Sequence, residues 1–178
     1  MILLMGIAGS GKGTQGKMLA DQNKMHLISM GDVLRMYVTG VQRERMLAGG
    51  LLDDHEIIAI VGNVLAQIPD DEEVILDGFP RTIKQAEWLI DQVKAGKFSL
   101  KLGLHLVASR SAVKQRLLKR GRLDDTESAM EARFDEYERS TMPLINWLNN
   151  NGVKVVNIDA ERPVEIVNKD ITNNLKLE

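Results

Sequence analysis

The densest concentration of chemistry-bearing residues is the run Gly6-Ile7-Ala8-Gly9-Ser10-Gly11-Lys12-Gly13-Thr14, which follows the apolar stretch Met1 to Met5 and precedes a helical pattern containing Met18 and Leu19. Glycines allow backbone angles that turn successive N–H groups toward one point. A helix start adds partial positive charge and Lys12 adds a full one, so the run is built to cradle phosphate oxygens. The general pattern asks for Ser or Thr directly after the lysine, whereas here Gly13 intervenes and the hydroxyl arrives at Thr14. A second concentration is cationic: Arg116, Arg120, Arg122 and Arg133. Arg116 and Arg120 share a helical face, an arrangement that repels unless an anion, or acids such as Glu127 and Glu131, lie against it. Asp77 ends an apolar run before Gly78. From there a carboxylate can hold magnesium or its waters beside the glycine run, with Asp32 assisting, although an acid before glycine also suits a plain turn. Arg35 follows Asp32 by three residues, so the two can face the same space. His26, His55 and His105 offer no nucleophile-and-base pair and read as packing or surface groups.

These residues need elements to hold them. Short apolar runs alternate with longer segments of helical period, the pattern of a parallel sheet covered by helices. Five strands are expected: Met1 to Met5, His26 to Ser29, Val74 to Asp77, Leu100 to Val107 and Val153 to Ile158. Asp53-Asp54 opens a helix whose apolar residues, from Ile57 to Ile68, end before Pro69. Ser109 caps the next helix, Asp124 to Asn150 reads as one or two helices interrupted near Pro143, and Pro163 suits the first turn of the last. Gly49-Gly50 reads as a hinge or as a plain helix C-cap. The tight turn at Phe79-Pro80 suits a cis bond.

Composition sets the outer limits. The chain has 178 residues, 19.9 kDa, 44% apolar and 27% charged, which fits a single compact domain able to bury roughly 70% of its unfolded surface. The absence of cysteine excludes disulfides and thiolate metal sites. A formal charge of −2, from 23 Lys and Arg against 25 Asp and Glu, leaves no excess to hold a nucleic-acid backbone or an anionic membrane. No basic leader and no run of roughly 20 apolar residues is present, so a cytoplasmic location is expected. Nothing reads as a large self-complementary apolar stripe, and a monomer is the default.

The run Gly6-x-x-Gly9-Ser10-Gly11-Lys12-Gly13-Thr14-Gln15 resembles the phosphate loop of the nucleoside monophosphate kinases, the adenylate kinases above all. Later segments extend the likeness over essentially the whole chain and in the same order: Ser29 to Arg35, Leu76 to Thr82 with Gln85-Ala86, Arg120 to Asp125 with Arg133, and Thr141 to Ile145. The resemblance implies a three-layer α/β fold of the P-loop NTPase type with a five-stranded parallel sheet. Its core would be residues 1–30, 69–119 and 124–178, with a helical monophosphate-binding insertion at about 31–68 and a residual lid at about 120–123. It implies transfer of a phosphoryl group from ATP to AMP, giving two ADP, with magnesium and without zinc. Only Gly121 separates Arg120 from Arg122, so the chain resembles the short-lid type.

By the same resemblance, Gly9, Ser10, Gly11, Lys12, Gly13, Thr14, Arg116, Arg120 and Arg162 would bind ATP. Met30, Arg35, Gly50, Leu51, Leu52, Gly78, Phe79, Pro80, Arg81, Gln85, Arg122 and Arg133 would bind AMP. Lys12, Arg81, Arg120, Arg122 and Arg133 would carry catalysis, with Asp124 and Asp125 orienting the guanidinium groups. Phosphoryl transfer is mainly electrostatic and positional, and the acceptor monophosphate is already largely deprotonated, so no general base is needed. Thr82, Gln85 and Ala86 follow the adenylate pattern, and a glutamine can pair with adenine through one donor and one acceptor. Met30 stands where adenylate kinases usually carry Thr, and Ala8 where they usually carry Pro.

Three other readings compete. A UMP/CMP-type kinase would keep the same machinery with another acceptor. A nucleotide-dependent switch lacks support, since Asn168-Lys169-Asp170 has the wrong spacing for reading guanine and Asp77-Gly78 is not Asp-x-x-Gly. A small-metabolite kinase would need a base for a hydroxyl acceptor, for which Asp32 is the only ready candidate.

Overall fold

The computed structural model describes residues 1–48, 52–69 and 71–176. Five strands form one parallel sheet: β1 (Ile2–Met5), β2 (His26–Ser29), β3 (Val74–Asp77), β4 (Leu102–Val107) and β5 (Val155–Asp159), in the spatial order β2-β3-β1-β4-β5. Helices cover both faces, so β1 is an unbroken apolar run with alternate residues serving opposite layers. Ile2 and Leu4 pack with Leu19 of α1 (Lys12–Asn23) and with Val167 and Ile171 of α9 (Val164–Lys176). Leu3 and Met5 pack with Leu89 of α5 (Ile83–Lys94) and Leu144 and Leu148 of α8 (Met142–Asn150). A third cluster joins Ile7 to Val113 and Leu117 of α6 (Arg110–Arg120) and to Met130 and Phe134 of α7 (Glu127–Glu136).

Three helices lie between β2 and β3: α2 (Met30–Tyr37), α3 (Gly40–Leu47) and α4 (Asp54–Leu65). Met30, Leu34, Leu52 and Ile57 join the same apolar cluster as Leu3 and Met5, which ties this segment to the sheet. Caps fix where the helices begin. Asp53 accepts from His55 N, Thr82 from Gln85 N, Ser109 from Ala112 N and Thr126 from Ala129 N.

The expected strands are all present, β2 and β3 with the expected bounds and the others with shifted ends. Val153 donates its N–H to Leu148 O, closing α8 rather than joining the sheet, so β5 starts at Val155 and runs on to Asp159. The fourth strand begins at Leu102, where pairing with Ile2 starts. Helix α4 stops at Leu65, short of Pro69, because Gln67 N and Ile68 N bond three residues back, to Val64 O and Leu65 O, and tighten the last turn. The stretch from Asp124 to Asn150 contains α7, a π-helical turn over Tyr137–Thr141, and α8, with Pro143 in the first turn of α8. The Phe79–Pro80 peptide is cis. Gly49 and Gly50, read as a hinge or cap, and Leu51 lie outside the described residues.

Candidate active site

β1 lies between β3 and β4; the connection leaving β1 runs outward to β2, whereas the one leaving the adjacent β3 runs the other way, past β1 to β4. In open parallel sheets such a switch point opens a crevice at the carboxyl ends of the strands. Here that crevice is a cleft of about 620 Å³. The glycine run forms its floor. Gly6, Gly9 and Gly11 have φ of 134°, 89° and 103°, values that other residues rarely adopt, and they curl the loop into the start of α1. A Cβ on Gly6 would stand 2.5 Å from Leu106 O, so the loop also needs glycine to pass close under β4.

Lys12 folds back over this loop, donating from Nζ to Gly6 O at 2.8 Å and Ile7 O at 3.0 Å. Burial lowers its pKa from 10.5 to about 8; Asp77 opposes the fall, and Arg81 and Arg120 deepen it. Burial also lowers Arg81, reinforced by Arg133 and Arg35, and lowers Arg122, reinforced by Arg120 and Arg35. The shifts report cations crowded together, with Lys12 and Arg81 shielded from solvent and Arg122 at the partly exposed edge, a field that an anion would relieve. Among the described residues, nine cationic side chains line the cleft against four carboxylates.

Those carboxylates and their neighbours hold the guanidinium groups in place. Asp125, with its side chain 1% exposed, accepts from Arg120 Nε at 2.9 Å and Nη2 at 2.6 Å, from Arg133 Nη1 at 3.2 Å and from Arg122 N at 3.1 Å. Asp124 holds Arg133 by a second bond. The expected orienting role of this acid pair thus has a geometric basis, while Glu131 pairs with Arg110 and Lys114 instead of with the cleft arginines. Arg35 bonds to Asp32, which keeps the Asp32 carboxyl below its usual range, and Arg122 approaches the same acid at 4.0 Å. Arg81 donates from Nε to Gly78 O at 3.0 Å.

On the opposite wall, Arg116 donates to Ser10 O at 3.4 Å and Ala160 O at 2.7 Å, tying the glycine loop to the segment after β5. Arg162 is engaged with Asp159 and Asp170 while lining the cleft. Gly9, Ser10, Gly11, Gly13 and Thr14, together with Gly78 and Pro80, also line it. Phe79 does not. It is fully buried and packs edge-on against Trp88. Met30, Leu52 and Gln85 line a small adjoining pocket of about 30 Å³.

The histidines take the structural parts expected of them. His105 is buried between Asn157 Oδ1 and the Tyr137 hydroxyl, and burial lowers its pKa; His26 pairs with Glu72, and His55 with Lys84. Residues the motifs did not single out also reach the cleft, notably Met46, Glu136 and Tyr137. The helical periods around Glu136 and Tyr137 could have placed them beside Arg133, but the π-helical turn changes the phase there. Asp54 bonds Thr82 and Gln85, and its signal was a second acid beside the one that caps α4.

A glycine loop leading from a central strand into a helix, under a crown of oriented arginines at the switch point of a parallel sheet, defines a P-loop phosphotransferase. The comparisons narrow the class. The adenylate kinase family model matches residues 4–153. The chain is 34% identical to an adenylate kinase of Corynebacterium urealyticum over 94% of each chain. It is 33% identical to one of Prochlorococcus marinus over 98% of this chain and 97% of that one, and 34% identical to one of Nitrobacter hamburgensis over 96% and 89%. The chain belongs to the adenylate kinase family and is a nucleoside monophosphate kinase.

Proposed function

We propose that this enzyme transfers the terminal phosphoryl group of ATP to AMP, giving two ADP. The observation that carries the reading is the continuity of the two pockets: Lys12 and the arginine cluster share one cleft, and that cleft adjoins an apolar slot containing the Gln85 amide. Gly9 to Thr14 and Lys12 hold the donor phosphates, with Arg116 and Arg162 beside the donor base. Arg35 and Arg81 clamp the acceptor phosphate, and Arg120, Arg122 and Arg133 meet the charge that spreads over the transferring group. No proton need be removed by the protein, which agrees with histidines occupied elsewhere.

Among the described residues no cluster of three His, Cys, Asp or Glu side chains could hold a metal on its own. Magnesium does not require one, since it binds through one or two carboxylates together with substrate phosphates and waters. Asp77 and Asp32 on the cleft, with the Thr14 hydroxyl, fit that donor set. Asp77 would hold the ion or its waters and Asp32 would support it. When bound, magnesium neutralises phosphate oxygens. The chain acts as a monomer in this reading, and among the described residues no helix is long and apolar enough to cross a membrane.

A coupled assay of ADP formation with ATP, magnesium and each common monophosphate tests the acceptor. AMP is expected to be used at least about 100-fold more efficiently than UMP, on the scale of two lost hydrogen bonds. Equal rates with AMP, CMP and UMP would leave the family intact and overturn AMP as the substrate.

A further inference from the structure

The Gln85 side chain is 2% exposed, and both of its polar ends are already engaged. Its Oε1 accepts from Arg81 N at 2.8 Å, and its Nε2 donates to Asp54 Oδ1 at 2.8 Å. The same Asp54 oxygen accepts from the Thr82 hydroxyl at 2.9 Å. The two partners of Gln85 are of opposite kinds. A backbone N–H can only donate and a carboxylate can only accept, so the amide has one permitted orientation. Turning it over would set Nε2 against an N–H and Oε1 against a carboxylate.

An amide has two donor hydrogens and two acceptor lone pairs. With one of each used, Gln85 keeps one hydrogen and one lone pair. It lines the small pocket whose other walls include Met30, Leu34, Met46, Leu52 and Ile57, and it is the only uncharged polar side chain there among the described residues. A 6-amino purine offers N6–H as donor and N1 as acceptor, matching the amide. A 6-oxo purine offers the reverse, with O6 accepting and N1–H donating. A glutamine free to turn would serve either ring equally well.

We propose that Asp54 is a positioning residue for substrate choice: by fixing the Gln85 amide in one orientation, it makes the acceptor slot accept a 6-amino purine monophosphate and reject a 6-oxo one. The proposal rests on the reading of that slot as the acceptor-base site. Asp54 acts through Gln85 and touches no substrate. It also sits at the start of α4, so the segment between β2 and β3 supplies the lock while the first turn of α5 supplies the amide it holds.

The wild-type enzyme provides a test that needs no variant. Equilibrium binding is compared for AMP, IMP and purine riboside 5′-monophosphate, which lacks any 6-substituent but keeps the N1 acceptor. A fixed amide retains one bond to the purine riboside and meets two mismatches with IMP, so the riboside monophosphate should bind at least tenfold tighter than IMP. IMP binding as tightly or tighter would show an amide that turns freely and overturn the proposal. Asp54→Asn keeps the shape but offers either a donor or an acceptor to Gln85. It should lower the AMP:IMP ratio of kcat/KM at least tenfold, through the acceptor KM, with the KM for ATP unchanged. Thr82→Val removes the other bond to Asp54 and a helix cap; it should lower the melting temperature and leave the ratio intact. A ratio that moves less than twofold in Asp54→Asn, or as far in Thr82→Val, would overturn the lock while AMP turnover persists. Failure of the wild type to use AMP at all would overturn the underlying reading of the slot.

Discussion

Asp125→Asn separates an orienting acid from an incidental one. The carboxylate of Asp125 is almost wholly buried and takes four N–H donors from Arg120, Arg122 and Arg133. An amide of the same shape has one oxygen, so at least two of these bonds are lost, and its NH2 group is turned toward a guanidinium. Charge-assisted bonds contribute about 1.5–3 kcal/mol each. Arg120 is 31% and Arg133 13% exposed along the side chain, so both recover water, and Arg133 keeps Asp124. The net loss is then about 2 kcal/mol, below the 3–5 of a fully buried broken pair. For a chain of this size that lowers the melting temperature by about 4–8 °C. Turnover should fall at least tenfold, since Arg120 loses its only partner among the described residues.

Acid carries the sharper form of this test. Burial alone would push the Asp125 carboxyl up, but the bonds from Arg120, Arg122 N and Arg133 outweigh it and hold the group below its ordinary 3.8. A carboxyl depressed in the folded state adds stability that is fully present above its unfolded pKa and is lost as pH falls through the folded one. Urea unfolding of both proteins should therefore give a constant difference from pH 7 to pH 5 that shrinks below about pH 4. A difference under about 0.5 kcal/mol at pH 7, or one that does not shrink in acid, would refute the orienting role.

Lys12→Met should reduce turnover by about a thousandfold, the scale of removing an electrostatic stabiliser of transferring charge. The lowered pKa of Lys12 means that the unfolded chain binds more protons between pH 8 and 10.5, so wild-type stability should rise across that window relative to the variant, by on the order of 3 kcal/mol; parallel pH profiles would count against a desolvated ammonium. Binding of inorganic tripolyphosphate should weaken above pH 8 in the wild type and stay flat in Lys12→Met. Gly6→Ala combines φ of 134° with a Cβ 2.5 Å from Leu106 O and should cost at least about 3 kcal/mol, whereas a Cβ on Gly13 meets nothing within 4 Å, so Gly13→Ala should hold its melting temperature within about 2 °C. Comparable thermal shifts in the two alanine variants would contradict the close passage under β4.

The glycine loop, the five strands and the order of the arginines could be read from the chain because each is a local requirement. A positive φ demands glycine, a strand buried on both faces demands an apolar run, and a cap demands Asp, Ser or Thr at one position. What stayed hidden depends on partners far apart in sequence. Asp54 and Gln85 are 31 residues apart and meet only because α4 and α5 pack together, so nothing near Gln85 announces that its amide is already held from both ends. The burial of Phe79 was hidden for a related reason. Its neighbours Gly78, Pro80 and Arg81 all line the cleft, but this one ring packs against Trp88 in the core. Lys12 illustrates the same division between type and state. Its position after three glycines announces an anion site. Its hold on the carbonyls of Gly6 and Ile7 is a property of the folded loop; those bonds use two of its three hydrogens, so an incoming phosphate would take the third or displace a carbonyl. In the proposed role the grip on phosphate is the difference between two bonding arrangements of one charged group rather than a gain from an idle one, which is why its pH dependence, more than its presence, would report how the loop works.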